Sequence, residues 1–529
     1  MPLVHHRPHH RTVTALVGAC LLLTAASCSS SSSPADTTGA TSVSVTDAPT
    51  TDAPTTVAPT TTEAIPQMEI GDVTITGPVS GGKGAVVLGP GGSDLAAVGY
   101  VQEEYFVSGT ASSFTAEGDL TSDGKWTATP GAQAAYTTRV VVRRPADVAS
   151  APGNVAVEWL NVTAGFDTAP DWTSAHVELV RQHWIWVGVS AQEVGIIGRD
   201  GALVPLALKL ADPERYASLS HPGDSYSYDM FSQIGAAVRS HADTLLGGAK
   251  PAAVIAFGES QSAMRLTTYI NAVAPLAGVF DGYLVHSRGA VAAPLSQAPL
   301  ADVKAPDPTL FRTDLTAPVL NFITETDLLG ERLGYVRARQ PDSDSVRTWE
   351  VAGTSHVDLY GLGLGDTDDG TGTADAALVA AMSAPPSSVY GGVINCDLPI
   401  NTGPQTYVLR AAISTLAQWV GSGTAPASTP LIELDASGAL KVDAQGNALG
   451  GVRTPQVDAA VARLSGGGQS GESFCGLFGT TAPFDAATLT ALYPDRQAFV
   501  DRWNAAIDAA VAAGTLLAPD AEALRGALG

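Results

Sequence analysis

The stretch AAVIAFGESQSAMRL, residues 252–266, joins a short apolar run to a segment of helical composition. An apolar run of this length is typical of a buried strand. Gly258 and the small Ser262, which stands where a glycine is usual, allow a tight turn and close packing of the following helix. This context predicts a strand–turn–helix unit that exposes Ser260 as a nucleophile. The similar motif GESFC, residues 471–475, follows the glycine-rich sequence LSGGGQS and is interpreted as a loop.

Apolar runs of strand length recur along the chain and alternate with segments of helical composition. They lie at residues 154–161, 184–191, 252–257, 280–287, 318–325 and 347–353. Strands that alternate with helices indicate an α/β fold, in which a mostly parallel twisted sheet is covered by helices on both faces. Before these runs, alternation of apolar and polar residues from residue 68 onward predicts antiparallel strands at the start of the sheet. Ligands of such folds bind at the carboxyl ends of the strands.

The first 66 residues lack the composition of a folded core. Residues 1–28 are predicted to be a signal peptide, because a basic start precedes an apolar stretch that is short for a membrane span. The end of this segment resembles a lipobox and makes Cys28 a candidate for lipidation, with plain cleavage nearby as the alternative. Residues 29–66 are rich in Ser, Thr and Pro and predict a disordered tether. One folded α/β domain is expected over residues 67–529, with a C-terminal extension from about residue 357, where the alternating pattern loosens.

Charge and cysteine content restrict the class of protein. The net charge is −24, which argues against nucleic-acid binding because phosphates would be repelled. The same charge disfavours broad contact with anionic lipids, so membrane attachment is expected only through the lipid anchor. Cys396 and Cys475 lie in the folded part, where an exported chain favours a disulfide; two separate buried thiols are the alternative. The sequence shows no metal-ligand spacing and no P-loop ending, so no metal or cofactor is expected.

A serine nucleophile needs a histidine base and an acid that orients the histidine. On a strand–turn–helix unit of this kind the chain order is serine, acid, histidine. Two histidines follow Ser260, and the first, His286, ends the very next strand and leaves no strand between to supply the acid. His356 is therefore the predicted base. The strand in PVLNFITETDLLG offers two acids, and Asp327 is favoured over Glu325 because it lies in the turn just past the strand.

The oxyanion of an acyl-transfer reaction needs backbone N–H donors. The amide of Gln261, directly after the nucleophile, is the first predicted donor. The second is expected from the loop after the strand NVAVEWLN, where Asn161 and Val162 are the candidates.

Four residues are weaker candidates for the substrate pocket. His286 and Arg288 lie at the end of the strand in FDGYLVHSRG, near Ser260, and Arg288 is a candidate to bind a carboxylate. A salt bridge or a hydrogen bond within the loop is the alternative role for both. Asp167 and Trp172, together with Asp171, lie in the loop after Asn161, where pocket and structural roles are equally supported.

The motifs that contain these residues resemble those of the α/β-hydrolase superfamily. The closer resemblance is to the bacterial family of alpha/beta hydrolase domain-containing proteins, whose members carry motifs similar to VEWLNVTAGFDTAPDW, GESQSAMRLTTYINAV, FDGYLVHSRG, TETDLLG, WEVAGTSHVD and GGVRTPQVD. The resemblance extends over roughly residues 73–519. It implies the α/β-hydrolase fold and the activity of a serine hydrolase, and it implies no particular substrate.

The sequence therefore predicts an exported serine hydrolase that cleaves carboxylic esters through an acyl-enzyme on Ser260. The expected partners are small-molecule or lipid esters, and the expected location is the cell surface through a lipid anchor, or otherwise outside the cell. Two further hypotheses are an envelope acyltransferase that uses the same triad and a non-catalytic binding protein on a hydrolase scaffold. The complete order of serine, acid and histidine argues against the second of these.

Overall fold

The structure is a computed structural model that describes residues 67–89, 94–200, 202, 205–329, 333–472 and 474–528. The predicted signal peptide, the tether and Cys28 lie outside the described residues.

A nine-stranded sheet forms the centre of the molecule, with the strand order β1-β2-β3-β5-β4-β6-β7-β8-β9. The strands are β1 Thr74–Thr76, β2 Tyr100–Ala116, β3 Ala128–Pro145, β4 Asn154–Trp159, β5 Ile185–Val189, β6 Ala253–Glu259, β7 Gly282–His286, β8 Val319–Thr324 and β9 Val346–Val351. Neighbours from β5 to β9 pair in parallel, whereas β1, β2 and β3 pair antiparallel and β3 joins β5 antiparallel. The predicted α/β class with a mostly parallel sheet is confirmed.

Helices connect the parallel strands and form the end of the chain. They are α1 Pro170–Arg181, α2 Glu193–Ile197, α3 Leu208–Ala211, α4 Ser227–Ser240, α5 Ala242–Leu245, α6 Gln261–Thr268, α7 Ala274–Ala277, α8 Glu325–Leu329, α9 Thr373–Ala381, α10 Gln405–Ser422, α11 Pro455–Asp458, α12 Ala486–Leu492, α13 Arg496–Ala512 and α14 Ala518–Gly526. A π-helical segment, Tyr269–Val273, joins α6 to α7. Within the described residues, no helix has both the length and the apolar character needed to cross a membrane.

The central strands are apolar on both faces because helices cover both faces. Side chains alternate along a strand, so successive residues of β6 enter different cores. Val254 and Ala256 join the core that includes side chains of α4 and α6, while Ile255 and Phe257 join the core that includes side chains of α1 and α10. This two-sided burial explains the continuous apolar run before Ser260.

The chain after residue 357 packs on the sheet. Its longest helix, α10, contacts β6, β7 and β8 as well as α1. Two small sheets pair β10 Ser388–Val389 with β11 Ile394–Asn395, and β12 Ala462–Ser465 with β13 Thr480–Pro483. A disulfide joins Cys396 to Cys475, as the sequence predicts, so the alternative of two separate thiols is wrong.

Candidate active site

Ser260 lies on the turn between β6 and α6, at the carboxyl edge of the sheet. Its backbone has φ +56° and ψ −116°, a conformation that residues other than glycine rarely adopt. The Ser260 amide donates to the carbonyl of His286 at 2.8 Å, which helps to hold this conformation. A Cβ atom on Gly258 would lie 2.9 Å from the Leu266 side chain and 3.0 Å from the Ser262 carbonyl, so the turn needs a glycine there. The Ser260 side chain faces a cavity.

A hydrogen-bonded chain of three side chains starts at this serine. His356 Nε2 lies 2.8 Å from Ser260 Oγ, and His356 Nδ1 lies 2.5 Å from Asp327 Oδ1. These contacts fit a neutral imidazole that accepts the hydroxyl proton at Nε2 and donates its Nδ1–H to the carboxylate. An oriented imidazole beside a hydroxyl is the arrangement that activates a serine nucleophile.

Asp327 is buried and ionised. Its second oxygen, Oδ2, accepts from the backbone amide of Thr324 at 2.8 Å and from the Thr324 hydroxyl at 2.7 Å. Burial acts to raise the pKa of Asp327, but His356 and the Thr324 donors outweigh burial and hold that pKa below its usual value. The carboxylate is therefore available to fix and stabilise the ring of His356.

Glu325, the other predicted acid, contacts a different part of the molecule. Its carboxylate accepts from the amide of Gly353 at 2.6 Å and from the amide of Gly466 at 2.8 Å. Glu325 and Asp327 are two positions apart on α8, and residues at that spacing do not share a helix face. Of the two acids, Asp327 is the one in contact with His356.

One of the predicted oxyanion donors is already occupied. The Asn161 amide donates to the carbonyl of Thr168 at 3.0 Å, which corrects its assignment as an oxyanion donor. Within the described part of the chain, the amides of Gln261 and Val162 have no hydrogen-bond acceptor. These two amides remain the candidates to bind an oxyanion.

A second carboxylate, Glu259, lies beside the imidazole of His356. Its Oε2 accepts from Asn161 Nδ2 at 3.0 Å, and the same nitrogen lies 3.1 Å from the Glu259 carbonyl. Its Oε1 lies 3.4 Å from His356 Nε2. The side chain of Asn161 therefore positions an acid at the nucleophile.

His286 lines the cavity, as predicted, but its ring nitrogens are engaged. Nδ1 lies 2.8 Å from Asp171 Oδ1, and Nε2 lies 2.9 Å from Gln405 Nε2. Burial lowers the pKa of His286 to about 4, so the ring is neutral at physiological pH. Burial raises the pKa of Asp171 to about 8, and burial together with the nearby Asp171 raises the pKa of Glu158, so two weakly acidic carboxyl groups lie behind the site.

The cavity in front of Ser260 has a volume of about 170 Å³ and is mainly apolar. Its apolar wall is formed by Phe166, Leu362, Tyr390, Phe474, Leu477 and Phe478. Three of these residues adjoin Cys475, so the disulfide-linked loop of the extension builds part of the wall. Among the described residues, no lysine or arginine lines the cavity, and no cluster of His, Cys, Asp and Glu is arranged to hold a metal ion.

A protein family described as alpha/beta hydrolase domain matches residues 75–526 of this sequence. The chain belongs to this alpha/beta hydrolase family. No curated protein sequence matches this alpha/beta hydrolase.

Two esterase structures are similar to part of this alpha/beta hydrolase. An esterase structure from Rhizomucor miehei shares 14% identity, covering 45% of this chain and 75% of the other, with a TM-score of 0.23. A thermostable esterase from Pseudomonas putida shares 13% identity, covering 49% of this chain and 74% of the other, with a TM-score of 0.24.

Three predicted pocket residues do not line the cavity of the hydrolase. Arg288 is buried elsewhere, where it donates to the carbonyl of Thr309 at 2.7 Å and lies 4.3 Å from the centre of the Phe311 ring. The strand ends at His286, and Ser287 has φ +58°, so the chain turns before Arg288 and no longer follows the strand. Arg288 thus has contacts of the alternative, structural kind, and no contact with the cavity.

Asp167 and Trp172 have structural contacts instead. Asp167 accepts from the buried Arg139 at 2.6 Å and from the Ser190 hydroxyl at 2.5 Å. Trp172 packs against Arg143, whose guanidinium lies 4.7 Å from the ring centre. Both residues stabilise the scaffold behind the cavity and do not line it, so of the two roles left open by the sequence their contacts favour the structural one.

The sequence analysis did not identify Glu259, Gln405 or the aromatic residues that the extension contributes to the cavity wall, Tyr390, Phe474 and Phe478. Glu259 had a signal, because it is an acid at the end of an apolar strand and directly precedes the nucleophile. Gln405 had none, because it meets His286 across 119 positions of the sequence.

Proposed function

We propose that this alpha/beta hydrolase is an exported serine hydrolase that cleaves carboxylic esters. The observation that carries the proposal is the hydrogen-bonded chain from Ser260 through His356 to Asp327, at a cavity large enough for an organic group. A binding protein would have no need for this chain of contacts.

Acylation begins when Ser260 Oγ attacks the ester carbonyl and His356 Nε2 takes the hydroxyl proton. Asp327 stabilises the imidazolium that forms and keeps its Nδ1–H in place. The amides of Gln261 and Val162 would bind the oxyanion of the tetrahedral intermediate. The imidazolium then gives its proton to the alkoxide oxygen, and the alcohol leaves. Water attacks the resulting acyl-enzyme by the same steps in reverse.

The cavity supports uncharged esters with apolar groups as the substrate class. Its wall is largely aliphatic and aromatic, so apolar surface of the ester would be removed from water on binding. Glu259 and Asp327 are acidic, and no cationic side chain among the described lining residues would bind a carboxylate of the substrate. Anionic esters should therefore bind poorly.

Export and a lipid anchor at Cys28 are part of the proposal. They rest on the sequence of residues 1–28, and the disulfide between Cys396 and Cys475 is consistent with an oxidising compartment.

A fluorophosphonate probe tests the proposal directly, because it reacts with an activated serine. The wild type should be labelled and should hydrolyse p-nitrophenyl butyrate, whereas Ser260→Ala should lose labelling and at least about 10⁴-fold of kcat/KM. Ser262→Ala is the matched control, since Ser262 is a buried serine two positions away. The control should keep its labelling. A wild type that does not react with the probe would contradict the proposed function.

A further inference from the structure

Glu259 has one carboxylate oxygen that the fold holds in place and one that faces the reaction centre. The residue is 5% exposed and lines the cavity beside Ser260. Oε2 is bound by Asn161 Nδ2 at 3.0 Å. Oε1 has no hydrogen-bond donor among the described residues, although it is buried. A buried acceptor without a donor costs free energy unless a ligand or water satisfies it.

This unsatisfied oxygen shares a neighbour with the nucleophile. His356 Nε2 lies 2.8 Å from Ser260 Oγ and 3.4 Å from Glu259 Oε1. A small molecule that donates a hydrogen bond to Nε2 is therefore within reach of a second donation to Oε1. Such a molecule would stand next to the acyl group on Ser260.

The charge of Glu259 depends on the groups that face it. Burial raises the pKa of Glu259 to about 7, His356 and His286 act to lower it, and Asp171 and Asp327 act to raise it further. Above pH 7 the carboxyl is largely ionised and accepts hydrogen bonds with both oxygens.

We infer that Glu259 is a catalytic residue that orients the water for deacylation. The water donates one proton towards His356 Nε2 and the other towards Glu259 Oε1, and its oxygen attacks the carbonyl carbon of the acyl-enzyme. His356 takes the first proton and passes it to Ser260 Oγ as the bond from Oγ to the acyl carbon breaks. The second proton stays on the product until the acid leaves. This inference rests on the acyl-enzyme of the proposed function.

An alcohol acceptor gains less from Glu259 than water does. Water has two protons to donate, one for each acceptor, whereas an alcohol has one, which must go to His356. Glu259 therefore favours hydrolysis over acyl transfer at the same triad.

The experiment measures how the acyl-enzyme divides between water and an alcohol. Full-length wild type and Glu259→Gln are given p-nitrophenyl butyrate with a fixed concentration of methanol, and butyrate and methyl butyrate are quantified. In Glu259→Gln the amide nitrogen cannot accept, so hydrolysis of the acyl-enzyme should slow by roughly 10- to 100-fold. The ratio of methyl butyrate to butyrate should rise by about tenfold or more, and p-nitrophenolate should appear in a burst.

Glu325→Gln is the matched control, because Glu325 is also a buried glutamate near the site, but its oxygens bind Gly353 and Gly466. It should keep the wild-type product ratio. If Glu259→Gln does not fold, Glu259→Asp is used. Its shorter carboxylate should give a ratio of methyl butyrate to butyrate between that of wild type and the rise expected for Glu259→Gln. A ratio unchanged from wild type, in a variant that still reacts with fluorophosphonate, would overturn the inference alone. A wild type that does not react would overturn the proposed function as well.

Discussion

Asp327 and Glu325 illustrate how the position of an acid on a helix selects its partners. Asp327 and Glu325 are both buried carboxylates on the short helix α8, but their oxygens have different partners. Asp327 binds His356 and Thr324. Glu325 binds one backbone amide just after β9 and one in the extension, and so links these two segments. One acid therefore contacts the base, and the other stabilises the loop around it.

Substitution of each acid by its amide should separate these roles. Asp327→Asn should lower kcat by about 10⁴-fold, because the amide no longer holds His356 in the tautomer that accepts the serine proton. Glu325→Gln should keep kcat within about tenfold, since the base is untouched, and should lower thermal stability instead. Steady-state kinetics and thermal unfolding of the two variants measure both effects. A greater loss of kcat in Glu325→Gln than in Asp327→Asn would reverse the assignment.

Chain order and local context predict three residues whose side chains the structure places in hydrogen-bond contact. Ser260, His356 and Asp327 were predicted because a strand–turn–helix unit fixes the nucleophile, and the order of acid and base then leaves few choices. Arg288 lies away from the cavity because a backbone turn at Ser287 ends the strand alternation, and this turn has no clear mark in the sequence. The position of Glu259 depends on Asn161, which reaches it only because β4 and β6 are neighbours in the sheet.

Among the larger elements, the extension is the part that the sequence describes least. The strands were predicted because each is a short apolar run, but the chain after residue 357 is rich in glycine and loops, and its contacts are long-range. One such contact is the buried Arg410 of α10, which lies 3.1 Å from Asp368 and 3.2 Å from Asp520 of α14. The disulfide fixes another part, the loop that carries Phe474, Leu477 and Phe478 to the cavity.

Removal of the disulfide should therefore affect both stability and substrate binding. The bond closes a loop with a sequence separation of 79, so the double variant Cys396→Ser/Cys475→Ser should lose about 4 kcal/mol of unfolding free energy. KM for p-nitrophenyl butyrate should rise more than kcat falls, because the triad lies outside the loop. Denaturant unfolding and steady-state kinetics measure these changes. Reduction of the wild type should reproduce them and leave the double variant unaffected; an unchanged KM would show that the disulfide does not shape the cavity.

At the scale of the whole molecule, buried carboxyl groups set the pH dependence of stability. Burial raises the pKa of Asp171 to about 8 and the pKa of Glu259, Glu325 and Asp358 to about 7. In the unfolded chain such groups lose their protons near pH 4. Between the unfolded pKa near 4 and the raised folded pKa values, the folded state binds more protons than the unfolded state. The free energy of unfolding therefore falls as pH rises through this range.

The melting temperature should consequently fall between pH 6.5 and 8.5. The buried histidines His176, His221 and His286 have lowered pKa values and act with the opposite sign, but only below about pH 6.5, where an unfolded histidine gains its proton. Thermal unfolding at constant ionic strength measures the effect. Asp358→Asn keeps an acceptor for the Gly361 amide and should flatten the slope. A melting temperature that rises between pH 6.5 and 8.5 would contradict the raised pKa values of the buried carboxyl groups.

The position of α10 has a consequence for biosynthesis. A nascent chain that has grown just past His356 contains Ser260, Asp327 and His356, yet Ile255 and Phe257 lack part of their cover, because α10, which packs on this face of the sheet together with α1, begins at residue 405. Two aromatic residues of the cavity wall, Phe474 and Phe478, are made later still. The proposed activity should thus arise only when translation is nearly complete, and the ribosome-bound precursor should be unable to cleave esters.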